Sequence, residues 1–297
     1  MPETPDAPGP GAAAAPDWFT RALAAPVELG ETVVAGATVR YRAWGPAGAA
    51  GTVLVHGGAA HARWWDHIGP QLAAGRRVVA VDLTGHGDSD HRADYALEQW
   101  ADEAVAVAGP AGIAGRPMLI GHSMGGMVAF LAAHRHGTAL AGVQIIDSPI
   151  WARTEAETAA RATASIGSGR VYPDAATARA RFRLTPAQER TLPYVLAHVA
   201  ETSMRPVDGG WTWKFDPLLV RRASSDLLGA GAPECRLAYL RCADGIVGTD
   251  ALAELRARLG PAALVTELPA AGHHPMLDRP LALVAALRTV TAAWDAA

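Results

Sequence analysis

A serine hydroxyl is a weak nucleophile until the backbone presents it and a base takes its proton. One stretch of this 297-residue chain suits presentation: Gly121-His122-Ser123-Met124-Gly125 matches the pattern G-x-S-x-G. The pattern needs a strand that turns sharply into a helix, with the serine strained and exposed at the tip. Small residues at Gly121 and Gly125 let neighbouring backbone pass close by. The helix start behind Ser123 aims backbone N–H groups at the place where negative charge would develop. Both flanks agree: Met118-Leu119-Ile120 reads as strand and the run from Met127 to Ala133 as helix.

Other groupings point less far. His86, Asp88, Asp90 and His91 crowd together as metal ligands do, but the H-x-H-x-D-H string of dinuclear metallohydrolases is missing, so no metal is expected. His134 and His136 stand two apart on a predicted helix and do not share a face. Arg179-Ala180-Arg181-Phe182-Arg183 reads as a solvated helix face. The two cysteines, Cys235 and Cys242, make no disulfide framework and are expected to be inert thiols in a reducing compartment. Trp64, Trp65, Trp151, Trp211 and Trp213 flank the predicted site loops, as core packing or as pocket lining.

Strand and helix signals alternate around the Ser123 turn. Residues 27–44 alternate apolar and polar about Gly36, as two antiparallel strands do. Residues 51–55, 77–83, 117–121 and 140–147 read as buried strands, with helices predicted over 61–74, 97–108 and 124–136. From 148 to 231 the alternation stops: helical stretches are expected around 155–165, 175–182 and 187–201, with no clear strand. Strands at 237–241 and 264–268 then alternate with helices at 250–259 and 280–294. The predicted fold is therefore α/β, a mainly parallel eight-stranded sheet with helices on both faces. Its core comprises 18–147 and 232–297, and a helical lid over 148–231 is inserted after strand 6. Such a lid would cover the carboxyl ends of the strands, where ligands bind in these sheets. Residues 1–17 are rich in Pro and Ala without a secretory signal pattern, and read as a disordered tail.

Four motifs in order make the chain resemble the α/β-hydrolase family over nearly its whole length beyond the tail. His56-Gly57-Gly58 resembles the oxyanion loop, and the run Asp82 to Ser89 resembles the D-x-x-G-x-G-x-S turn. Gly121 to Gly126 resembles the nucleophile elbow, and Gly272-His273 with Asp278-Arg279-Pro280 the histidine loop and last helix. The resemblance implies that Ser123 attacks an acyl carbon and that His273 takes its proton, then returns it to the leaving group. It implies that the N–H groups of Met124 and Gly58 hold the oxyanion, with His56 bracing that loop. His274 is the rival base; spacing after glycine favours His273, and adjacent side chains on an extended loop point apart. The acid stays open between two aspartates at predicted strand ends facing the site. Arg241-Cys242-Ala243-Asp244 sits at the usual position but has lost the glycine of G-x-x-D. Ile145-Ile146-Asp147-Ser148-Pro149 resembles a family subset with the acid one strand earlier, and the altered Asp244 loop favours Asp147.

The near balance of 26 basic and 29 acidic residues supplies no basic field, so nucleic acid is not an expected partner. No stretch approaches the roughly 18 uninterrupted apolar residues that span a bilayer, and a cytoplasmic location is expected. The expected activity is hydrolysis of an ester, thioester or lactone of a mainly apolar small molecule, through an acyl-enzyme and without organic cofactor. Trp151, Trp211 and Trp213 are expected to help bind that substrate. Rival readings are acyl transfer, cyclisation, perhydrolysis or lyase chemistry on the same fold, a metallohydrolase, and a binding protein with a dead site.

Overall fold

The structure is a computed structural model and describes residues 14–151, 169–219 and 233–296. Asp17, placed with the tail by sequence, opens the first helix, α1 (Asp17–Leu23), whose Phe19 is buried; residues 1–13 lie outside the described residues. β1 (Glu28–Val34) and β2 (Ala37–Trp44) form the expected antiparallel hairpin. Its turn residues Ala35 and Gly36 both take positive φ, at 45° and 79°, which matches the twist of the flanking strands. β3 (Gly51–Val55), β4 (Arg77–Val81), β5 (Met118–His122) and β6 (Gly142–Ile146) are buried at every residue. That is why they read as unbroken apolar runs.

The region predicted as one helix over 61–74 is instead a 3₁₀ turn (Ala62–Trp65) followed by the single-turn α2 (Gly69–Leu72). Pro70 explains the break: it has no N–H to donate, and in a continuous helix its ring would strike the carbonyl of Asp66. α3 (Leu97–Ala106) and α4 (Met124–His136) follow their strands as expected. The segment between β6 and the next strand of the sheet carries α5 (Ala175–Ala180) and α6 (Pro193–Thr202). The helix predicted over 187–201 thus starts late, with proline in its first turn where a missing N–H costs nothing. The helix expected around 155–165 lies outside the described residues.

This segment also holds strands where none was expected. β7 (Met204–Val207) and β8 (Gly210–Trp213) pair antiparallel across Asp208-Gly209. Pro206 hides the signal, because proline argues against a strand from sequence. Asp-Gly between two short apolar runs was the local clue. β9 (Arg236–Asp244), α7 (Leu252–Leu259), β10 (Leu264–Gly272), α8 (Pro275–Asp278) and α9 (Pro280–Asp295) complete the chain. β10 outruns its predicted end at 268 through an irregularity between Leu268 and Gly272.

The sheet has eight strands in the order β1-β2-β4-β3-β5-β6-β9-β10. β2 pairs antiparallel with β1 and β4, and every other pair is parallel. Alternate residues feed two cores. Val53, Val79 and Leu119 pack with Trp100 of α3 and Val128 of α4. Leu54, Val78 and Ile120 pack on the other face with Trp65 and with Leu283 and Leu287 of α9. From β3 the chain goes first to one neighbour, β4, and then back to the other, β5. That reversal opens a crevice at the carboxyl ends of β3 and β5, where His56-Gly57-Gly58 and Ser123 emerge. No described helix is long and apolar enough to cross a membrane.

Candidate active site

Ser123 stands between β5 and α4 with φ 54° and ψ −121°, a conformation that costs a non-glycine residue about 1–3 kcal/mol. The surroundings enforce it. A Cβ on Gly121 would overlap the Gly125 carbonyl, and one on Gly125 would overlap the carbonyls of Val55 and His56. The Ser123 N–H donates to the Ile146 carbonyl at 3.0 Å, and Ser148 Oγ donates to the Ser123 carbonyl at 2.7 Å. Ser148 is itself clasped by Tyr239, whose hydroxyl accepts from its N–H at 2.8 Å and donates to its carbonyl at 2.7 Å. Placed at the start of the lid by sequence, Ser148 is fully buried beneath the elbow. Nothing local in the sequence marks Ser148 or Tyr239, because 91 residues separate them.

The structure joins three of the predicted residues in one line. His273 Nε2 lies 3.0 Å from Ser123 Oγ, and His273 Nδ1 lies 2.8 Å from Asp147 Oδ2. Asp147 is fully buried and also accepts N–H bonds from Cys242 at 3.2 Å and Ile246 at 2.9 Å. A Cβ on Gly245 would overlap its carboxylate. Asp244 does not face His273, contrary to expectation. It is half-exposed and pairs at the surface with Arg190 of the inserted segment. The 242–246 loop supplies N–H donors to Asp147 instead of a carboxylate to His273.

The histidine loop is tied down from several sides. His122 Nε2 donates to the His273 carbonyl at 2.7 Å, and Asp278 accepts from the Gly272 N–H at 2.7 Å. Gln188, from the inserted segment, accepts from the His274 N–H at 2.8 Å. The His122 and Gln188 contacts join residues 151 and 86 positions apart in the chain. His274, the rival base, turns away and donates from Nε2 to the Pro186 carbonyl at 3.3 Å.

Gly58 and Met124 flank the crevice, and the backbone N–H of neither has a protein acceptor among the described residues. His56 braces their loop as expected: Nδ1 donates to the Gly57 carbonyl at 2.7 Å and Nε2 accepts from the Leu83 N–H at 3.2 Å. Asp82 holds the adjoining turn by accepting from the N–H groups of Ala62 and Asp88, at 2.6 and 3.0 Å.

Trp151 is half-buried against the core. Trp211 and Trp213 are half-buried in the β7–β8 hairpin, where Trp211 bridges to Tyr172 and the Trp213 ring meets Tyr172 and Phe182. Trp64 is buried with its ring 5.5 Å from that of His274, and Trp65 is fully buried core. Of the grouping His86, Asp88, Asp90 and His91, the His86 ring packs between those of His56 and Trp100, Asp88 pairs with Lys214, Asp90 accepts from the Thr38 N–H and His91 faces Asp216. Cys235 and Cys242 are free, and burial pushes the Cys235 thiol up to about 11 and the Cys242 thiol higher still.

Burial also sets the pH response of the fold. It lowers His56 and His67 to about 4 and His274 to about 3, and takes His61, His86 and His122 well down too. An unfolded histidine takes up a proton near pH 6.5, whereas these stay neutral until much lower pH. Their stabilisation is therefore complete above about 6.5 and drains as pH falls toward 4, on the order of 3 kcal/mol for His56 or His67. Asp82, raised by burial to about 6, works in the opposite direction, as do Glu103 and Asp278, also raised by burial, but the six lowered histidines outnumber these carboxyls. We expect the melting temperature to fall by about 10 °C or more between pH 7 and pH 5. Scanning calorimetry across that window checks this, and a flat profile would contradict neutral burial of these rings.

The fold agrees with what comparison with known proteins finds. A model of the alpha/beta hydrolase family matches residues 52–287, and the chain belongs to that family. It is 28% identical over 269 residues to an esterase of Mycobacterium tuberculosis, covering 88% of each chain. It is 29% identical over 257 residues to a pimeloyl-[acyl-carrier protein] methyl ester esterase of Edwardsiella ictaluri, covering 81% of this chain and 93% of the other. The crystal structure of E-2-(acetamidomethylene)succinate hydrolase superposes with a TM-score of 0.74 at 21% identity, over 89% of this chain and 98% of that one. This last likeness is one of fold.

Proposed function

We propose that the chain is a serine carboxylic-ester hydrolase with Ser123 as nucleophile, His273 as base and Asp147 as the acid that orients it. The observation that carries this is the unbroken line from Ser123 Oγ through both ring nitrogens of His273 to the buried Asp147 carboxylate. With Nδ1–H committed to Asp147, the lone pair of Nε2 faces the serine. Ser123 Oγ bonds to the acyl carbon as its proton passes to Nε2, and Asp147 stabilises the imidazolium that forms. The N–H groups of Gly58 and Met124 take the negative oxygen. Collapse expels the alcohol, which receives the proton from Nε2. Water then repeats the sequence on the acyl-serine and releases the acid.

In this reading the segment between β6 and β9 acts as a lid over an apolar acyl pocket, and Trp151 contributes to its wall. The substrate class is a mainly apolar ester, with thioesters and lactones as variants of one acyl chemistry. The likeness to esterases over most of their length supports the ester reading. A panel of p-nitrophenyl esters of graded acyl length, with intact-mass detection of the acyl adduct, tests it. One length should be preferred and the adduct should sit on Ser123. Turnover without a Ser123 adduct, or adduct passed chiefly to an added alcohol or amine instead of water, would count against hydrolysis through this serine.

A further inference from the structure

Three histidine rings meet around His273, and the proposed mechanism uses one of them. His122, His273 and His274 are all buried, with ring centroids 4.7, 4.8 and 5.5 Å apart. One ring nitrogen from each lies within 4.8 Å of those from the other two. Their tautomers follow from their partners, since a carbonyl or carboxylate oxygen only accepts. His122 Nε2–H donates to the His273 carbonyl, His273 Nδ1–H to Asp147, and His274 Nε2–H to the Pro186 carbonyl. The remaining nitrogens carry lone pairs: His122 Nδ1, His273 Nε2 and His274 Nδ1. Two of these, His122 Nδ1 and His274 Nδ1, are buried with no hydrogen-bond partner among the described residues. Histidines that ligate metals are built this way, with the second N–H held by a carboxylate or backbone carbonyl.

We infer that His122, His273 and His274 form an inhibitory site for a borderline divalent cation such as Zn²⁺, and that its occupation switches the serine centre off. Imidazole nitrogens suit this ion class, and three of them with a solvent ligand complete a four-coordinate shell. Bonds of about 2.0–2.1 Å set donors roughly 3.3 Å apart, so the rings close by an ångström or so on binding. The inhibitory step rests on His273 being the base. Its Nε2 lone pair either takes the Ser123 proton or binds the cation, and cannot do both. The half-exposed Ser123 marks the side from which the cation enters.

The test titrates the full chain with ZnCl₂ by calorimetry and follows ester hydrolysis in parallel, for wild type and His274→Gln. His274 touches neither Ser123 nor Asp147 among its hydrogen bonds, so the variant should keep its hydrolytic rate. We expect one Zn²⁺ per wild-type chain, hydrolysis that falls in step with occupancy and returns with EDTA, and binding and inhibition both weakened at least about tenfold in His274→Gln. If that variant does not fold, His122→Gln supplies the binding measurement. No zinc binding by wild type, equal binding by the variants, or occupancy without loss of activity would each overturn the inference. A protein that binds zinc through these histidines but hydrolyses no ester would defeat the ester-hydrolase reading and leave the cation site standing.

Discussion

Ser123→Ala should lower turnover of the preferred ester by on the order of 10⁶ while leaving the melting temperature nearly unchanged. The size follows from the way such residues act as a unit: without the nucleophile, base and acid have nothing to activate. On the proposed mechanism, what survives is catalysis by the Gly58 and Met124 N–H groups on a water-attacked substrate. Stability should hold because, among the described residues, Ser123 Oγ bonds only to His273, and the backbone strain at φ 54° is the same for alanine. The contacts that hold the elbow run through the Ser123 backbone, to Ile146 and Ser148, and the substitution spares them. Activity within tenfold of wild type would mean that another group attacks the substrate.

Asp147→Asn should cost about 10⁴ in kcat, and Asp244→Asn no more than a few-fold. An asparagine at 147 offers an amide N–H as well as an oxygen, so it can turn His273 Nδ1 from donor to acceptor and place the proton on the wrong nitrogen. The effect is large because Asp147 is fully buried and its oxygens are already committed to the Cys242 and Ile246 N–H groups, leaving no solvent to compensate. Asp244 pairs with Arg190 where both side chains are more than half exposed, and ion pairs of that kind contribute about 0–1 kcal/mol. Single-turnover kinetics on both variants separates the two carboxylates. Comparable losses would place Asp244 within reach of His273 in the working enzyme.

The two predictions differ in how they could be reached. Ser123 announces itself within five residues, because the elbow is a local device: its glycines, preceding strand and following helix are neighbours in the chain. The same holds for the β1–β2 hairpin, whose turn chemistry sits in Ala35-Gly36, and for β3 to β6, whose apolar runs reflect burial on both faces. Local signals failed where one residue outweighed a pattern, as Pro70 did in the predicted 61–74 helix and Pro206 did in β7. The amino-acid sequence alone thus determined the strand–helix alternation, the strand–turn–helix elbow at Ser123 and the position of the histidine loop. Only the tertiary structure shows which of Asp147 and Asp244 lies against His273. Both stand at the ends of adjacent strands, and the choice depends on which carboxylate the 242–246 loop surrounds with N–H donors and which one Arg190 draws to the surface. Those contacts join residues 54 to 126 positions apart. Distances in space between such residues are set by how the whole sheet closes, and no local spacing in the chain encodes them.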